Sequence, residues 1–199
     1  MKRFYLYIIL TRPNTIVSKL IHLIKKDEYT HAAISFDKDL LYNMYSFGRK
    51  YVFIPFIGRF KRENINEGIY KLHNNLPGIV MEIEVTKKQY RKARSLLNSF
   101  ILNNNLYKYN YLGLLDGLLN KPASHENRFL CSEFVYHLLK ESGIIDLDLP
   151  ENLVRPQNLL AIKSKIVFEG NLKEYYNKKH SIVEIRSGTN FMVMSKKAV

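Results

Sequence analysis

The spacing of apolar residues changes repeatedly along this chain between a period of two and a period of about 3.6, and this feature constrains the fold most. Strand-like runs cover Phe4–Leu10, His31–Asp37 and Ile79–Val85. Helix-like patterns cover about 16–26 and a stretch from 87 to about 102, which a Thr-Lys-Lys-Gln capping box at 86–89 opens. Strands and helices do not alternate regularly, as they would in parallel βαβ units. The pattern therefore predicts an α+β fold.

Weaker patterns add a hairpin and a long connection to the first half of the chain. A turn at 37–39 leads to an extended run over Leu40–Phe47, so this run and the His31 strand form a predicted hairpin. The segment Gly48–Gly78 is irregular, with short extended pieces around Tyr51–Ile54 and Ile69–Leu72. Because long irregular segments are often functional, we expect this one to cover the substrate.

The second half of the chain is predicted to contain more helix than strand. The expected helices cover Tyr107–Leu119, the stretch from Cys131 to a C-cap at Gly143, and a short piece beginning at Arg155-Pro156. Strands are expected at Lys165–Phe168 and near Ile182–Arg186. The whole chain, 1–199, fits one domain, whose core motifs fall within 4–161 and whose residues 162–199 complete or extend it.

The chain is strongly basic, with a formal net charge of +13. Such a charge favours anionic partners: nucleic acid, acidic lipid headgroups or anionic wall polymers. The longest basic stretch, at 87–94, is typical of one face of an amphipathic helix, and neither zinc-finger spacing nor an Arg-rich tail accompanies it. We therefore expect no specific nucleic acid partner, whereas the charge is compatible with contact at a membrane surface.

The N-terminus superficially resembles a signal peptide, because Met1-Lys2-Arg3 precedes the apolar run Phe4–Leu10. That run is at the short limit for such a peptide, and no small-residue cleavage site follows it. No segment approaches the roughly 20 apolar residues of a membrane span. The run is therefore interpreted as a buried strand, and a cytoplasmic location is predicted.

Cys131 is the only cysteine, so no intrachain disulfide can form. It stands where a polar loop becomes an amphipathic helix. The unpaired N–H groups and the positive end of a helix favour a thiolate at this point, and the same N–H groups can bind the oxyanion of a tetrahedral intermediate. Cys131 is therefore a candidate nucleophile. The alternative is that it is a small buried hydrophobic residue.

A thiol nucleophile needs an imidazole to take or hold its proton, and His31 is the best-placed candidate. It opens a strand of small apolar residues. Asn43, on the predicted partner strand, can accept a hydrogen bond from the far ring nitrogen and so orient the imidazole. Tyr45 and Ser46 are alternatives, because the sequence does not define the strand register. The other histidines lack metal-ligand spacing, so no metal and no other cofactor is expected.

Four short motifs together resemble a known superfamily. They are Thr30-His31-Ala32-Ala33-Ile34-Ser35-Phe36, Tyr45-Ser46-Phe47-Gly48-Arg49, Phe129-Leu130-Cys131-Ser132-Glu133-Phe134-Val135 and Arg155-Pro156-Gln157-Asn158-Leu159. In this order they resemble the circularly permuted branch of the NlpC-type papain-like cysteine hydrolases, in which the His strand precedes the Cys helix. The branch includes bacterial lipoprotein-like hydrolases, poxvirus proteins and relatives of lecithin:retinol acyltransferase.

The resemblance implies a small antiparallel sheet, carrying His31, packed against the helix led by Cys131. It implies that Cys131 is the nucleophile and His31 the base. The family's usual third residue is His or Glu, and the expected strand offers Asn43, Tyr45 or Ser46 instead.

The implied activity is that of a thiol-dependent hydrolase, a peptidase or amidase, acting through a thioester on Cys131. Its expected substrate is an amide or ester in a small cell-wall peptide or a lipid-linked acyl group. One alternative is a lipid acyltransferase that uses the same Cys and His. Another is a non-catalytic basic module that binds nucleic acid or anionic membrane.

Overall fold

The computed structural model describes residues 3–13, 18, 22–23, 25–37, 39–49, 58–111, 114, 121 and 126–181. Strands in this part of the chain are β1 Phe4–Thr11, β2 His31–Ser35, β3 Met44–Arg49, β4 Gly58–Glu63, β5 Pro77–Val85, β6 Lys108–Tyr109, β7 Arg128–Phe129 and β8 Lys165–Asn171. They form one sheet in the order β7-β6-β4-β3-β2-β1-β5-β8. Neighbours are antiparallel except β6 and β7. The α+β class is confirmed, but the sheet is mixed and larger than the small antiparallel sheet expected.

The helices with described bounds are α1 Gly68–Lys71, α2 Lys87–Leu102 and α3 Cys131–Glu141. Residues 172–181 are also helical, as are the described residues 18, 22, 23 and 25 within the helix expected over about 16–26. Short 3-10 helices cover Glu151–Leu153 and Pro156–Ala161. The helix α2 begins at the predicted capping box, in which Thr86 Oγ1 accepts the N–H of Gln89 at 3.2 Å and Gln89 Oε1 accepts the N–H of Thr86 at 2.9 Å. After α3, Gly143 has φ +66°, the left-handed conformation that glycine adopts without strain.

The N-terminal apolar run is a central strand, as predicted. It forms β1, which lies between β2 and β5 in the sheet. None of the helices among the described residues is long and apolar enough to cross a membrane.

Alternation along the central strands separates two apolar layers. Leu6, Ile8 and Leu10 of β1 pack in the layer that contains α2 and α3, whereas Ile9 packs in the layer that contains α1 and residues of the 172–181 helix. The first layer includes five phenylalanine rings with centroid distances of 5.0 to 6.2 Å between contacting pairs: Phe47, Phe60, Phe100, Phe129 and Phe134. Each fully buried side chain of this size contributes about 1.5–3 kcal/mol. This layer therefore holds α3 against β2 and β3.

The segment between β3 and β5 differs most from the expectation. Gly48–Gly78 is not one irregular segment, because it contains β4 and α1, and the piece around Ile69–Leu72 is helical rather than extended. The strand β4 buries Phe60 and Glu63, three positions apart, and therefore gives no period-two signal. The extended piece at Tyr51–Ile54 lies outside the described residues.

Three expectations concern the second half of the chain, and two of them lie mostly or wholly outside the described residues. Lys108–Tyr109 is strand β6 rather than the start of a helix, while residues 111 and 114 are helical and most of the expected helix over Tyr107–Leu119 lies outside the described residues. The strand expected near Ile182–Arg186 also lies outside them. The strand expected at Lys165–Phe168 is confirmed as part of β8.

Candidate active site

The first residue of α3 and the first residue of β2 lie side by side. Cys131 begins α3 and is 7% exposed, and His31 begins β2 with a side chain that is 15% exposed. The thiol and the imidazole are close enough for each to shift the pKa of the other. The structure thus brings these two side chains together, and their catalytic roles stay a prediction.

Polar contacts on either side of Cys131 hold the start of α3 in place. Ser132 Oγ donates a hydrogen bond to the carbonyl of Val154 at 2.6 Å, and Glu133 Oε2 accepts the N–H of Leu130 at 2.9 Å. A carboxylate in the first turn satisfies an N–H that the helix itself cannot, and the helix dipole favours its charge. These contacts place the sulfur at a defined point beside β2.

Glu63 orients His31, and the sequence analysis did not single it out. Its Oε2 lies 2.9 Å from Nε2 of His31, and the hydroxyl of Tyr70 donates to the same oxygen at 2.9 Å. The Glu63 side chain is only 5% exposed. Because Nε2 is engaged by Glu63, Nδ1 is the ring nitrogen that is left to interact with Cys131. Cys131, His31 and Glu63 therefore form one interacting series, in which His31 is hydrogen-bonded to Glu63 and shifts the pKa of Cys131.

Asn43 does not orient His31, so this expectation is wrong. Asn43 lies in the turn before β3, and its Nδ2 donates to Oδ2 of Asp37 at 3.1 Å. The hairpin strand begins at Met44 rather than at position 40. Asn43 is therefore near the end of β2 that is distant from His31.

The two alternatives for this role, Tyr45 and Ser46, are also engaged elsewhere. Tyr45 stacks on Phe60 with ring centroids 6.3 Å apart, and Ser46 Oγ donates to the carbonyl of Ala32 at 2.6 Å. The strand register explains all three corrections. Since Ile34 pairs with Tyr45, the part of β3 nearest His31 lies further along, around position 48.

Gly48 leaves the space that the Glu63 carboxylate occupies beside His31. A Cβ at this position would lie 2.7 Å from Oε1 of Glu63 and 3.9 Å from Cε1 of His31. The first of these distances is shorter than a real Cβ contact. A side chain here would therefore displace the carboxylate from its place beside His31, and glycine leaves this space open.

Cys131, His31 and Glu63 shift one another's pKa values in directions that all favour the charged form of each group. Burial lowers the pKa of His31, but the charge of Glu63 and the hydrogen bonds to Cys131 and Glu63 raise it to about 10. Burial raises the pKa of Glu63, yet the charge and hydrogen bond of His31 lower it overall.

The pKa of the Cys131 thiol is lowered overall. Burial raises it, but the hydrogen bond and charge of His31 act in the opposite direction, as do the N–H groups of Ala32 and Ser132. Together these shifts favour the thiolate–imidazolium pair over the neutral pair.

Tyr109 of β6 borders the same site. Its side chain packs on Gly58, where an added Cβ would lie 2.6 Å from the Tyr109 Cβ, and its ring centroid is 4.7 Å from that of Tyr111. Burial raises the pKa of Tyr109, the charge of Cys131 raises it further, and the charge of Arg49 lowers it. The phenol therefore stays protonated and lies within electrostatic range of both Cys131 and Arg49.

Within the described ranges, no group of three or more His, Cys, Asp and Glu side chains is placed to bind a metal ion. No family model, curated protein or solved structure matches the chain. Its function is therefore inferred from the chemistry of the site.

Proposed function

We propose that this protein is a thiol-dependent hydrolase with a circularly permuted papain-like fold, which cleaves an amide or ester through a thioester on Cys131. The series Cys131–His31–Glu63 carries this proposal, because His31 is hydrogen-bonded to Glu63 and lowers the pKa of the Cys131 thiol. A cysteine with only a packing role does not require a neighbouring imidazole and a buried carboxylate. A thiol nucleophile requires an imidazole to hold its proton and a further group to orient that imidazole. Glu63 is also one of the two residue types usual at the third position of the family that the sequence resembles.

The first half of the reaction forms the thioester. The Cys131 thiolate attacks the carbonyl carbon, the C–S bond forms, and an electron pair moves to the carbonyl oxygen. The backbone N–H groups at the start of α3 stabilise this oxyanion. When the carbonyl re-forms, the C–N or C–O bond breaks and the leaving group takes a proton from Nδ1 of His31.

The second half returns the enzyme to its starting state. Neutral His31 takes a proton from water at Nδ1 as the water oxygen attacks the thioester carbonyl. The C–S bond then breaks, the carboxylic acid departs, and the thiolate–imidazolium pair is restored. Glu63 keeps its negative charge throughout, accepts the Nε2–H of His31 and stabilises the imidazolium.

Mass spectrometry and turnover with para-nitrophenyl acetate test this proposal. The wild-type protein is expected to carry one acetyl group on Cys131 during the reaction and to release nitrophenol over many turnovers. Cys131→Ser is the matched variant, because it keeps the shape of the side chain and lacks its nucleophilicity at neutral pH. An unmodified wild-type protein, or equal turnover in the variant, would contradict the proposal.

The surface of α2 favours a second candidate, acyl transfer from a lipid-linked donor. Its basic side chains at 87, 88, 91 and 92 are exposed, and Leu102 at its end and Leu106 just beyond are 83% and 62% exposed. Basic groups in the first two turns and exposed apolar side chains at the far end of one helix suit an anionic lipid surface. To separate the two reactions, Cys131 is loaded with a fatty acyl group, and water alone or a lipid acceptor is then added. Mass spectrometry of the products shows whether the acyl group is transferred to water, as a hydrolase would do, or to the lipid, as an acyltransferase would do.

A further inference from the structure

Arg49 carries a buried, unpaired donor next to the candidate active site. It is the last residue of β3 and directly follows Gly48, which lies against His31 and Glu63. Its Nη2 is buried and has no hydrogen-bond partner among the described residues. Arg49 as a whole is only partly buried. A buried N–H donor without an acceptor is nevertheless unfavourable, so the Nη2 atom requires an explanation.

The neighbours of Arg49 place it on the side of the site where Tyr109 meets Cys131. Arg49 pairs in register with Gly58 of β4, and the Tyr109 side chain lies against that same glycine. Burial raises the pKa of Tyr111, and the charge of Arg49 lowers it, as it does for Tyr109. The guanidinium is therefore within electrostatic range of both tyrosines, and Tyr109 is in turn within electrostatic range of the sulfur.

Glu63 and the Cys131 thiolate already have a cationic partner, and the buried Glu133 accepts hydrogen bonds from the N–H of Leu130 and from Nδ2 of Asn110. Glu63 is paired with His31 at 2.9 Å and also feels the charge of Lys61. The Cys131 thiolate is paired with His31. Arg49 is not needed for either pairing, and leaving a charge desolvated without a partner is unfavourable. The missing anion is therefore expected to come from a bound molecule.

We propose that Arg49, flanked by Tyr109 and Tyr111, binds an anionic oxygen group of the substrate, a carboxylate or a phosphate, beside the carbonyl that Cys131 attacks. This inference rests on the proposed function, because it assigns the substrate class of the same site. The planar guanidinium presents its N–H donors in a fork that matches two oxygens of either group. The Tyr109 phenol is protonated at neutral pH and can donate a further hydrogen bond.

Two para-nitrophenyl esters that differ in one carboxylate test the assignment. The wild-type protein is expected to have a higher kcat/KM for the hydrogen succinate than for the neutral butyrate, mainly through KM. Arg49→Gln is expected to reduce the succinate-to-butyrate ratio about 10- to 100-fold, the range for hydrogen bonds to a charged group. Arg59→Gln is the matched control: Arg59 is exposed on neighbouring β4, and this variant is expected to keep the wild-type ratio.

Inhibition of butyrate turnover identifies which anion is recognised. If inorganic phosphate inhibits competitively and Arg49→Gln removes this inhibition, the substrate carries a phosphate. If succinate inhibits and phosphate does not, the substrate carries a carboxylate. An equal ratio in wild type and Arg49→Gln overturns the inference. The inference is also overturned if Arg49→Gln slows Cys131 alkylation at neutral pH by as large a factor as it reduces the succinate-to-butyrate ratio. Arg49 would then act through the thiolate.

The inference and the proposed function fail in different ways. Turnover of butyrate with no preference for succinate leaves Cys131 chemistry intact and removes the role of Arg49. If neither ester reacts, the proposed hydrolase fails, and Arg49 is tested by whether phosphate or succinate protects Cys131 from iodoacetamide. Protection that is lost in Arg49→Gln supports an anion site there, and the absence of protection overturns it.

Discussion

Replacing Glu63 by Gln removes a charge from the candidate site while keeping the size and accepting oxygen of the side chain. In the wild-type protein, Oε2 of Glu63 lies 2.9 Å from both Nε2 of His31 and the hydroxyl of Tyr70. A glutamine oxygen can accept both hydrogen bonds. What is lost is the attraction between two charged side chains that are 15% and 5% exposed.

The magnitude follows from the burial of this pair. Removing one partner of a buried ion pair costs about 3–5 kcal/mol, and about 1.4 kcal/mol corresponds to one pKa unit. Burial lowers the pKa of His31, while Glu63 and Cys131 raise it to about 10. In E63Q this pKa is therefore expected to fall by about two to four units. The Cys131 thiol then loses its cationic partner near neutral pH, and its own pKa rises.

The rate of Cys131 alkylation by iodoacetamide, measured from about pH 5 to about pH 9, reports this change because only the thiolate reacts. At about pH 6 the rate for E63Q is expected to be at least about 10-fold below that of the wild type, and the two rates converge as the pH rises. Glu84→Gln is the matched control, since Glu84 is 59% exposed and only 3.8 Å from the exposed Arg3. Coincident profiles for wild type and a folded E63Q would refute the reasoning.

Three further variants test other parts of the site. Gly48→Ala places a Cβ 2.7 Å from Oε1 of Glu63, so it is expected to slow Cys131 alkylation near neutral pH as E63Q does, and wild-type reactivity would show that the carboxylate moves at no cost. Tyr70→Phe removes one donor to Glu63 and is expected to lower the free energy of unfolding by about 1 kcal/mol, seen by calorimetry as a fall in Tm of about 2–4 °C. Because the folded-state pKa of His31 is raised to about 10, its protonation stabilises the fold fully below about pH 6.5, and this contribution is lost as the pH rises through about 10. The difference in Tm between wild type and His31→Gln is therefore expected to shrink between about pH 7 and about pH 11, and a constant difference would contradict the shift.

Elements with a clear period and a recognisable end could be predicted from the sequence. The helix α2 combines helical spacing with the Thr86 capping box, and α3 ends at Gly143 in the left-handed conformation. Cys131 and His31 could be singled out because each begins an element, where a reactive side chain is held by regular structure and still reaches its neighbours. These features are local, so local patterns reveal them.

Glu63 could not be found in this way, because its role depends on strand register. It lies on β4 and meets His31 across β3, and the sequence does not define that pairing. The same cause explains the error at Asn43. The available signal was a lone acidic residue after the basic run Arg59–Arg62, of a type usual at the third position of the family that the sequence resembles. Recognising β4 as a strand was the missing step.

The ultraviolet absorbance of the thiolate, taken as wild type minus Cys131→Ser and titrated from about pH 4 to about pH 10, measures the ionisation of Cys131 without any substrate. We predict a thiolate signal that is already present near neutral pH and is lost only on acidification, because His31 and Glu63 stabilise the ion pair. A signal that rises only around pH 8.5, roughly where an ordinary thiol ionises, would contradict the claim. Cys131 would then be a buried side chain in a basic, non-catalytic protein.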